Sequence, residues 1–254
     1  MILRICYFSI FCLFSFTAFS QDNYEIQVYG AETVEKGKTM LELHSNYTFD
    51  GNKETGKVLL PTNHIIHETI EITHGFTSWF EIGFYLFNAI GDNKRTSYVG
   101  SHIRPRVSAP SEWHLPVGLS FSAEFGFQKK EYSANTSTLE LRPIIDKKWK
   151  AFYLALNPVF GKSFKGPDEN RGFIFSPNVK ASYDLSKVVA LGLEYYGSTG
   201  PVLHFDSYNQ QQHQLFFVTD LNLNPVWEFN AGLGRGFTSS TDKLIFKFIL
   251  GRKF

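Results

Sequence analysis

The chain has very little cysteine, almost no net charge and, after its first twenty residues, no long apolar stretch. Its only cysteines, Cys6 and Cys12, lie within MILRICYFSIFCLFSFTAFS, so the remainder has no disulfide framework. With 25 basic and 24 acidic residues, the near-zero balance argues against a nucleic-acid partner. No later stretch is long and apolar enough for a transmembrane helix.

The first twenty residues have the pattern of a secretory signal peptide. One early cation, Arg4, precedes an apolar stretch, and the small-residue ending Ala18-Phe-Ser20 follows it. We therefore predict a cleaved signal at 1–20, a periplasmic N-terminal segment at 21–38 and a folded domain at 39–254. Cleavage after Ser20 would start the exported chain at Gln21.

Aromatic residues are abundant, at 17% of the chain, and many alternate with small or polar residues. In the clearest run, LPVGLSFSAEFGFQ at 115–128, every second residue from Val117 to Phe127 is apolar. This period of two is typical of β-strands with two different faces. Laid out in this way, the chain gives twelve strands: 39–50, 63–74, 79–89, 98–108, 115–128, 137–146, 151–163, 172–184, 187–198, 211–221, 226–237 and 243–254.

The connections between these strands alternate between longer and shorter. We assign the longer set to the cell exterior and the shorter set to the periplasm; 109–114, of middling length, and 238–242, which is short, depart from the pattern. An even strand number with this alternation predicts a transmembrane antiparallel up-and-down β-barrel, whose closure leaves no free strand edge in lipid. The longer set is 51–62, 90–97, 129–136, 164–171 and 199–210, and the shorter set is 74–78, 147–150, 185–186 and 222–225.

The last strand ends in an aromatic residue. In KLIFKFILGRKF, Leu244, Phe246, Phe248 and Leu250 have the parity of the terminal Phe254. This pattern resembles the C-terminal assembly signal of bacterial outer-membrane barrels. It implies two partners, the barrel-assembly machinery, through Phe254, and the lipid of a bacterial outer membrane. A secreted β-sandwich or soluble barrel is the alternative, but it would have to hide twelve apolar strand faces from water.

Five stretches resemble, in order and spacing, a known family of outer-membrane barrels. They are EITHGFTSWFEIGFYL, LELRPIID, FYLALNPVF, SPNVKASYDL and LGLEYYGSTGP, and the likeness covers most of residues 65–235. The family comprises barrels grouped as transporters of the meta pathway of phenol degradation. The resemblance implies a pore for small solutes, aromatic or apolar ones among them.

The predicted inward face carries charges of both signs. Such residues fit either a constriction that selects solutes or ion pairs that brace the wall, since buried charges are normally paired. Arg104 and Arg106, separated by Pro105, form a cationic stripe that would bind an anion or pair with Glu81 and Glu124. The constriction candidates are Arg104, Arg106, Glu81, Glu124, His67, Glu71, Glu140, Arg142 and Glu194, and the same face carries Glu42, His44, His102, Lys180, Glu228 and Lys247.

The run NHIIHETIEITHGFTSW at 63–79 raises the question of a metal motif. Its β-branched residues favour a strand, which places His67 and Glu71 on the lumen face and His64, Glu68 and His74 on the other. The run therefore predicts no local metal site. Glu68 is then an acid on the predicted lipid face, which means that it lies above the membrane or that the register is wrong there.

These patterns predict a channel for passive passage of a small solute, with no cofactor. Loops 51–62, 129–136 and 199–210 would control access to the lumen. Two alternatives stay open, a lipid hydrolase at the outer rim and a non-conducting structural or adhesive barrel. Ser45 follows His44 directly, so a hydrolase would need a serine and a histidine paired across strands instead.

Overall fold

The computed structural model describes residues 23–53, 59–91 and 95–254. The predicted signal peptide lies outside them. The described residues form twelve long strands, a two-residue strand β10 and one 3₁₀ turn, Ser111–Trp113. The strands are β1 Thr39–Asp50, β2 Ile66–Gly75, β3 Phe80–Ile90, β4 Thr96–Ser108, β5 Gly118–Gln128, β6 Ser137–Trp149, β7 Phe152–Lys165, β8 Phe173–Asp184, β9 Val189–Ser198, β10 Gly200–Pro201, β11 Gln212–Leu221, β12 Trp227–Gly236 and β13 Leu244–Lys253.

The long strands form one closed antiparallel barrel. Each pairs with its neighbours in sequence, with β9 pairing to β11, and β1 pairs with β13 to close the ring. Short β10 pairs with β8 beyond the ring and extends that wall within the 199–210 connection. Among the described residues no helix is long and apolar enough to cross a membrane.

Burial in this barrel is inverted relative to a soluble protein. Along β2, Ile70 and Ile72 are exposed on the outside, whereas His67, Glu71 and Thr73 are buried inside. The same inversion runs around the ring: the exposed outward residues include Leu41, Leu43, Phe84, Ile103, Phe121, Phe125, Leu193, Phe217 and Leu233. An apolar band outside and a polar lumen inside are typical of barrels that span a membrane.

The predicted strand number and the alternation along the strands are confirmed, whereas the connection lengths alternate only in part: 109–117 spans nine residues and 91–95 only five. Connections that join β1–β2, β3–β4, β5–β6, β7–β8, β9–β11 and β12–β13 lie at one end of the barrel, here called the long-loop end. The others lie at the short-turn end, where 109–117 holds the 3₁₀ turn. The chain's four tryptophans, Trp79, Trp113, Trp149 and Trp227, all lie at the short-turn end.

The register predicted around Glu68 is correct. Glu68 lies opposite Ser45 and shares the outer face with Ile66 and Ile70. The hydroxyl of Ser45 donates to both carboxylate oxygens, at 2.9 and 2.8 Å. Because Ile66 begins β2 at the long-loop end, Glu68 sits near that rim of the barrel.

The expectation of a periplasmic lead at 21–38 is wrong for most of that segment. Residues 23–34, here called the N-terminal segment, lie inside the barrel, where Tyr24, Ile26 and Tyr29 are buried. The physical reason is that these side chains would be exposed to water outside it. Only after the turn at Gly37 does the chain join β1.

Candidate functional site: the lumen and its N-terminal segment

The N-terminal segment runs through the lumen from the long-loop end to the short-turn end. At the long-loop end the Asn23 side chain donates to Asp242, two residues before β13 (2.5 Å). At the other end the Val34 amide donates to Glu81 near the start of β3 (2.5 Å), and the Gly37 amide donates to the Gly75 carbonyl (2.7 Å). The segment therefore spans the whole height of the barrel.

Wall side chains, rather than a β-ladder, satisfy much of the segment's backbone. Asn157 of β7 acts at both polar groups of Tyr29: its Oδ1 accepts from the Tyr29 amide (2.7 Å) and its Nδ2 donates to the Tyr29 carbonyl (2.9 Å). Other carbonyls of the segment accept hydrogen bonds from side chains of four further strands, and one wall carboxylate accepts a hydrogen bond from a backbone amide of the segment. These bonds are Asn46 to Asn23, Thr69 to Tyr24, Lys247 to Ile26, Arg106 to Gly30 and Glu32, and the Ala31 amide to Asp146.

Tyr29 occupies a ring of charge, here called the charged site and defined as Glu81, Arg104, Arg106 and Arg142. The guanidinium carbons of Arg104 and Arg142 each lie 4.7 Å from the Tyr29 ring centre, and that of Arg106 lies 5.8 Å away. Such cation–π contacts strengthen when water is excluded. The charged site therefore recognises an aromatic side chain.

Acidic groups balance the arginines of the charged site. Arg104 pairs with Glu71 at 2.7 Å, and Arg106 Nε lies 2.7 Å from Glu81, its cross-strand partner. The predicted pairing of this stripe with Glu81 is therefore present. The expected pairing with Glu124 is wrong, because Glu124 instead binds His102 on the neighbouring strand.

Ile26 and Val28 lie against the opposite wall. They pack in a cluster, here called the apolar site, with Ala155, Tyr196, Phe216, Val218 and Ile245. These wall residues come from β7, β9, β11 and β13 and are buried. One side of the lumen is thus apolar although most of its lining is polar.

Beside the apolar site, two lysines share one glutamate. Lys247 donates to Glu194 and, at 3.0 Å, to the Ile26 carbonyl. Lys180 lies 3.2 Å from Glu194 and 2.8 Å from Asp220. Glu194 is therefore an ion-pair partner that positions the lysine holding the segment.

The remaining predicted lumen residues divide between the segment and the wall. The His67 ring meets the Tyr24 ring edge-on, with centres 4.9 Å apart. Glu140 pairs with Arg142, whose Nη1 also lies 3.4 Å from Glu25 of the segment. The structure thus gathers Glu71, Glu81, Arg104 and Arg106 near Tyr29, and separates His67, Glu124 and Glu194 from them.

Cavities open at both ends of the lumen. One of about 1200 Å³ lies at the short-turn end and is bounded by Glu32, Pro110 and Lys148 among others. Another of about 910 Å³ lies at the long-loop end beside Asn135 and Arg171. Between them, near the middle of the barrel, Ile26, Tyr85 and Lys247 are 0% exposed. Segment and wall together fill that level.

Sequence reasoning placed these wall residues in the lumen but missed the segment they bind. A signal was available in NYEIQVYGA at 23–31, where Tyr24, Ile26 and Val28 alternate with polar residues. In a stretch that is surrounded by water, apolar side chains at every second position would not be buried. Ser45 and His44, considered for a hydrolase, lie outside and inside the wall, so this adjacent pair does not form.

Comparison with known proteins supports the fold and not a family. No protein-family model matches the chain, and no curated protein matches it in sequence. Among solved structures, the COG4313 outer membrane channel from Pseudomonas putida F1 is similar at a TM-score of 0.59 and 10% identity, over 91% of this chain and 100% of that one. The NanC porin is similar at 0.57 and 8% identity, over 84% and 98%.

The KdgM porin is similar as well, at a TM-score of 0.56 and 10% identity, over 85% of this chain and 99% of that one. All three likenesses cover nearly the whole of the known chain. At these identities they show that the chain has the fold of porin-like outer-membrane barrels. A shared fold does not by itself assign a function, which has to be argued from the lumen.

Proposed function

We propose that this protein is a bacterial outer-membrane channel for passive passage of a small solute, closed in this conformation by its N-terminal segment. The observation that carries the proposal is the arrangement of two cavities, about 1200 and 910 Å³, with the segment between them. A solute at either end would meet the segment on its way through. The similar solved structures, which are porins and channels, support the same role.

The outer surface supports a membrane location. Its exposed apolar residues would be costly in water over such an area. Tryptophans enrich the interfaces of membrane barrels, and here Trp79, Trp113 and Trp149 are exposed at the short-turn end. This end would face the periplasm, and the long-loop end the cell exterior.

The segment's mode of attachment supports its role as a removable closure. Its side-chain hydrogen bonds and packing contacts are each worth only about 1 to 3 kcal/mol. No β-ladder joins residues 23–34 to the described wall strands. The segment can then leave the lumen without breaking the ring of strands.

An aromatic or apolar solute fits the same site. When the segment leaves the lumen, the charged site exposes three guanidiniums and the apolar site exposes Phe216 and Val218. This lining suits a small molecule with an aromatic ring and a carboxylate, in line with the resemblance to transporters of the meta pathway of phenol degradation. Loops 51–62, 129–136 and 199–210 would control access from the long-loop end.

Solute flux into proteoliposomes tests this function. The chain from Gln21 onward is compared with a variant lacking residues 23–34, using benzoate and, as the non-aromatic control, acetate. We expect both solutes to enter liposomes that contain the deletion variant faster than they enter empty liposomes. The increase over empty liposomes should be larger for benzoate than for acetate. Baseline permeability in a correctly folded deletion variant would contradict the channel function.

A further inference from the structure

A second group of buried side chains lies on the lumen wall formed by β1 and β2. Glu42 and His44 come from β1 and Glu71 from β2, with exposures of 6%, 0% and 0%. One donor atom from each lies within 4.8 Å of the other two. We propose that these three residues bind a first-row divalent transition-metal ion, with Zn²⁺ as the representative ion.

The spacing of the donor atoms suits such an ion. A His44 ring nitrogen, Nε2, lies 3.4 Å from Glu71 Oε2. Two ligands on a tetrahedral zinc ion, with bonds of about 2.0 to 2.2 Å, are roughly 3.3 to 3.5 Å apart. Glu42, with a carboxylate oxygen within 4.8 Å of the other two ligand atoms, would complete three protein ligands.

The candidate ligand atoms of these three residues also lack hydrogen-bond partners. Within the described part of the chain, Glu42 Oε1, Glu71 Oε2 and both ring nitrogens of His44 make no hydrogen bond. Buried polar atoms are rarely left in this state. An ion held between them would satisfy a carboxylate oxygen of each glutamate and one imidazole nitrogen together.

The charges of the two glutamates also favour a bound cation. Glu42 lies directly opposite Glu71 in the β1–β2 ladder, and like charges in that position repel. Arg104 neutralises Glu71, whereas among the described residues Glu42 forms no ion pair. A divalent cation between the two carboxylates would convert the repulsion into attraction.

Glu71 is already oriented as a ligand. Its Oε1 accepts from Thr73 and from Arg104, each at 2.7 Å, which leaves Oε2 directed towards His44. Outer partners of this kind fix ligating carboxylates in metal sites. Glu42 and Glu71 also line the cavity at the short-turn end, which gives an ion a route to the site.

The mixed donor set selects the class of ion. Imidazole with carboxylate oxygens suits zinc and its first-row neighbours, whereas Mg²⁺ and Ca²⁺ prefer oxygen ligands alone. The inference is independent of the proposed channel function, since the ion would join two strands of the wall whether or not solute passes.

Zinc binding by the whole exported chain tests the site. Protein without a polyhistidine tag is stripped with a chelator, and Zn²⁺ affinity is measured by competition with a chromophoric chelator. We expect one Zn²⁺ per chain, with affinity lowered at least tenfold in Glu42→Gln and in His44→Gln. His67→Gln is the matched control, because His67 is buried on the same lumen wall outside the cluster, and it should bind as the wild type does.

A spectrum of the unaltered protein removes dependence on the folding of variants. X-ray absorption of the zinc-loaded wild type should show one imidazole and oxygen ligands at about 2.0 to 2.2 Å. The proposal fails if the folded wild type binds no Zn²⁺ saturably, if the Glu42 and His44 variants bind as well as it does, or if the spectrum contains no imidazole.

Discussion

The charged site and the apolar site hold neighbouring parts of the same segment by opposite means. At the charged site, Tyr29 is surrounded by guanidiniums that are themselves paired with glutamates. At the apolar site, the side chains of Ile26 and Val28 pack against Phe216 and its neighbours. Val28 and Tyr29, which are adjacent in the chain, therefore make two different kinds of contact.

The two sites therefore contribute differently to holding the segment in the lumen. Apolar contact favours burial but is non-directional, so it would tolerate a shifted segment. The charged site is directional, because a displaced Tyr29 would lose its cation–π contacts with three buried guanidiniums. We therefore expect the apolar site to contribute affinity and the charged site to fix the register.

Removing the charge from the charged site should produce the largest effect. In the double variant Arg104→Met/Arg106→Met, Glu71 and Glu81 stay buried without counter-ions. Such a loss costs about 3 to 5 kcal/mol, which should appear as a lower free energy of unfolding in urea, followed by tryptophan fluorescence. Adding Glu71→Gln and Glu81→Gln should restore most of the stability; a double variant as stable as wild type would contradict the ion-pair account.

A charge placed in the apolar site should release the segment with a smaller effect on the barrel. Ile26→Asp forfeits about 2 to 3 kcal/mol of burial, equivalent to roughly 30- to 150-fold in the docking equilibrium. The readout is maleimide labelling of a cysteine introduced at Ala31 in the chain from Gln21 onward, which has no cysteine of its own. Lys36→Asp, at an exposed position beyond the segment, should leave the labelling rate unchanged.

The Asn157 bridge lies between the two sites and should matter less. Asn157→Leu leaves the amide and carbonyl of Tyr29 unpartnered, at a cost of about 1 to 2 kcal/mol. Labelling at the Ala31 cysteine should then rise roughly 5- to 30-fold. Asn178→Leu is the matched control, because Asn178 lies directly opposite Asn157 on β8. Equal effects of the two variants would remove any special role from Asn157.

The smallest effect is expected outside the lumen. Glu68 and Ser45 meet on the outer face near the long-loop rim, where water can replace their hydrogen bond. Glu68→Gln should change the free energy of unfolding by less than about 1 kcal/mol. A loss as large as that of the arginine variant would show that this pair is buried in the membrane-facing wall.

The same contrast explains what the sequence could and could not predict. The strand number and the face on which each side chain lies follow from the alternation of apolar and polar residues along the strands. This alternation correctly placed Glu71 and Arg104 inside the barrel and Glu68 on its outer face. The pairing of Arg104 with Glu71, two strands away in the ring, depends on side-chain reach across the lumen, which period two does not encode. The segment was missed because it forms no strand, and its partners come from strands along the whole chain, from Asn46 to Asn157 and Lys247.

Single-channel conductance in planar bilayers would show whether the N-terminal segment closes a channel. We expect rare, small openings for the wild-type chain from Gln21 onward and steady, larger steps for the variant lacking residues 23–34. A synthetic peptide of sequence NYEIQVYGAETV, added at the long-loop side, should block those steps, whereas a scrambled peptide should not. Identical traces from wild type and a well-folded deletion variant, unaffected by the peptide, would contradict closure by the segment.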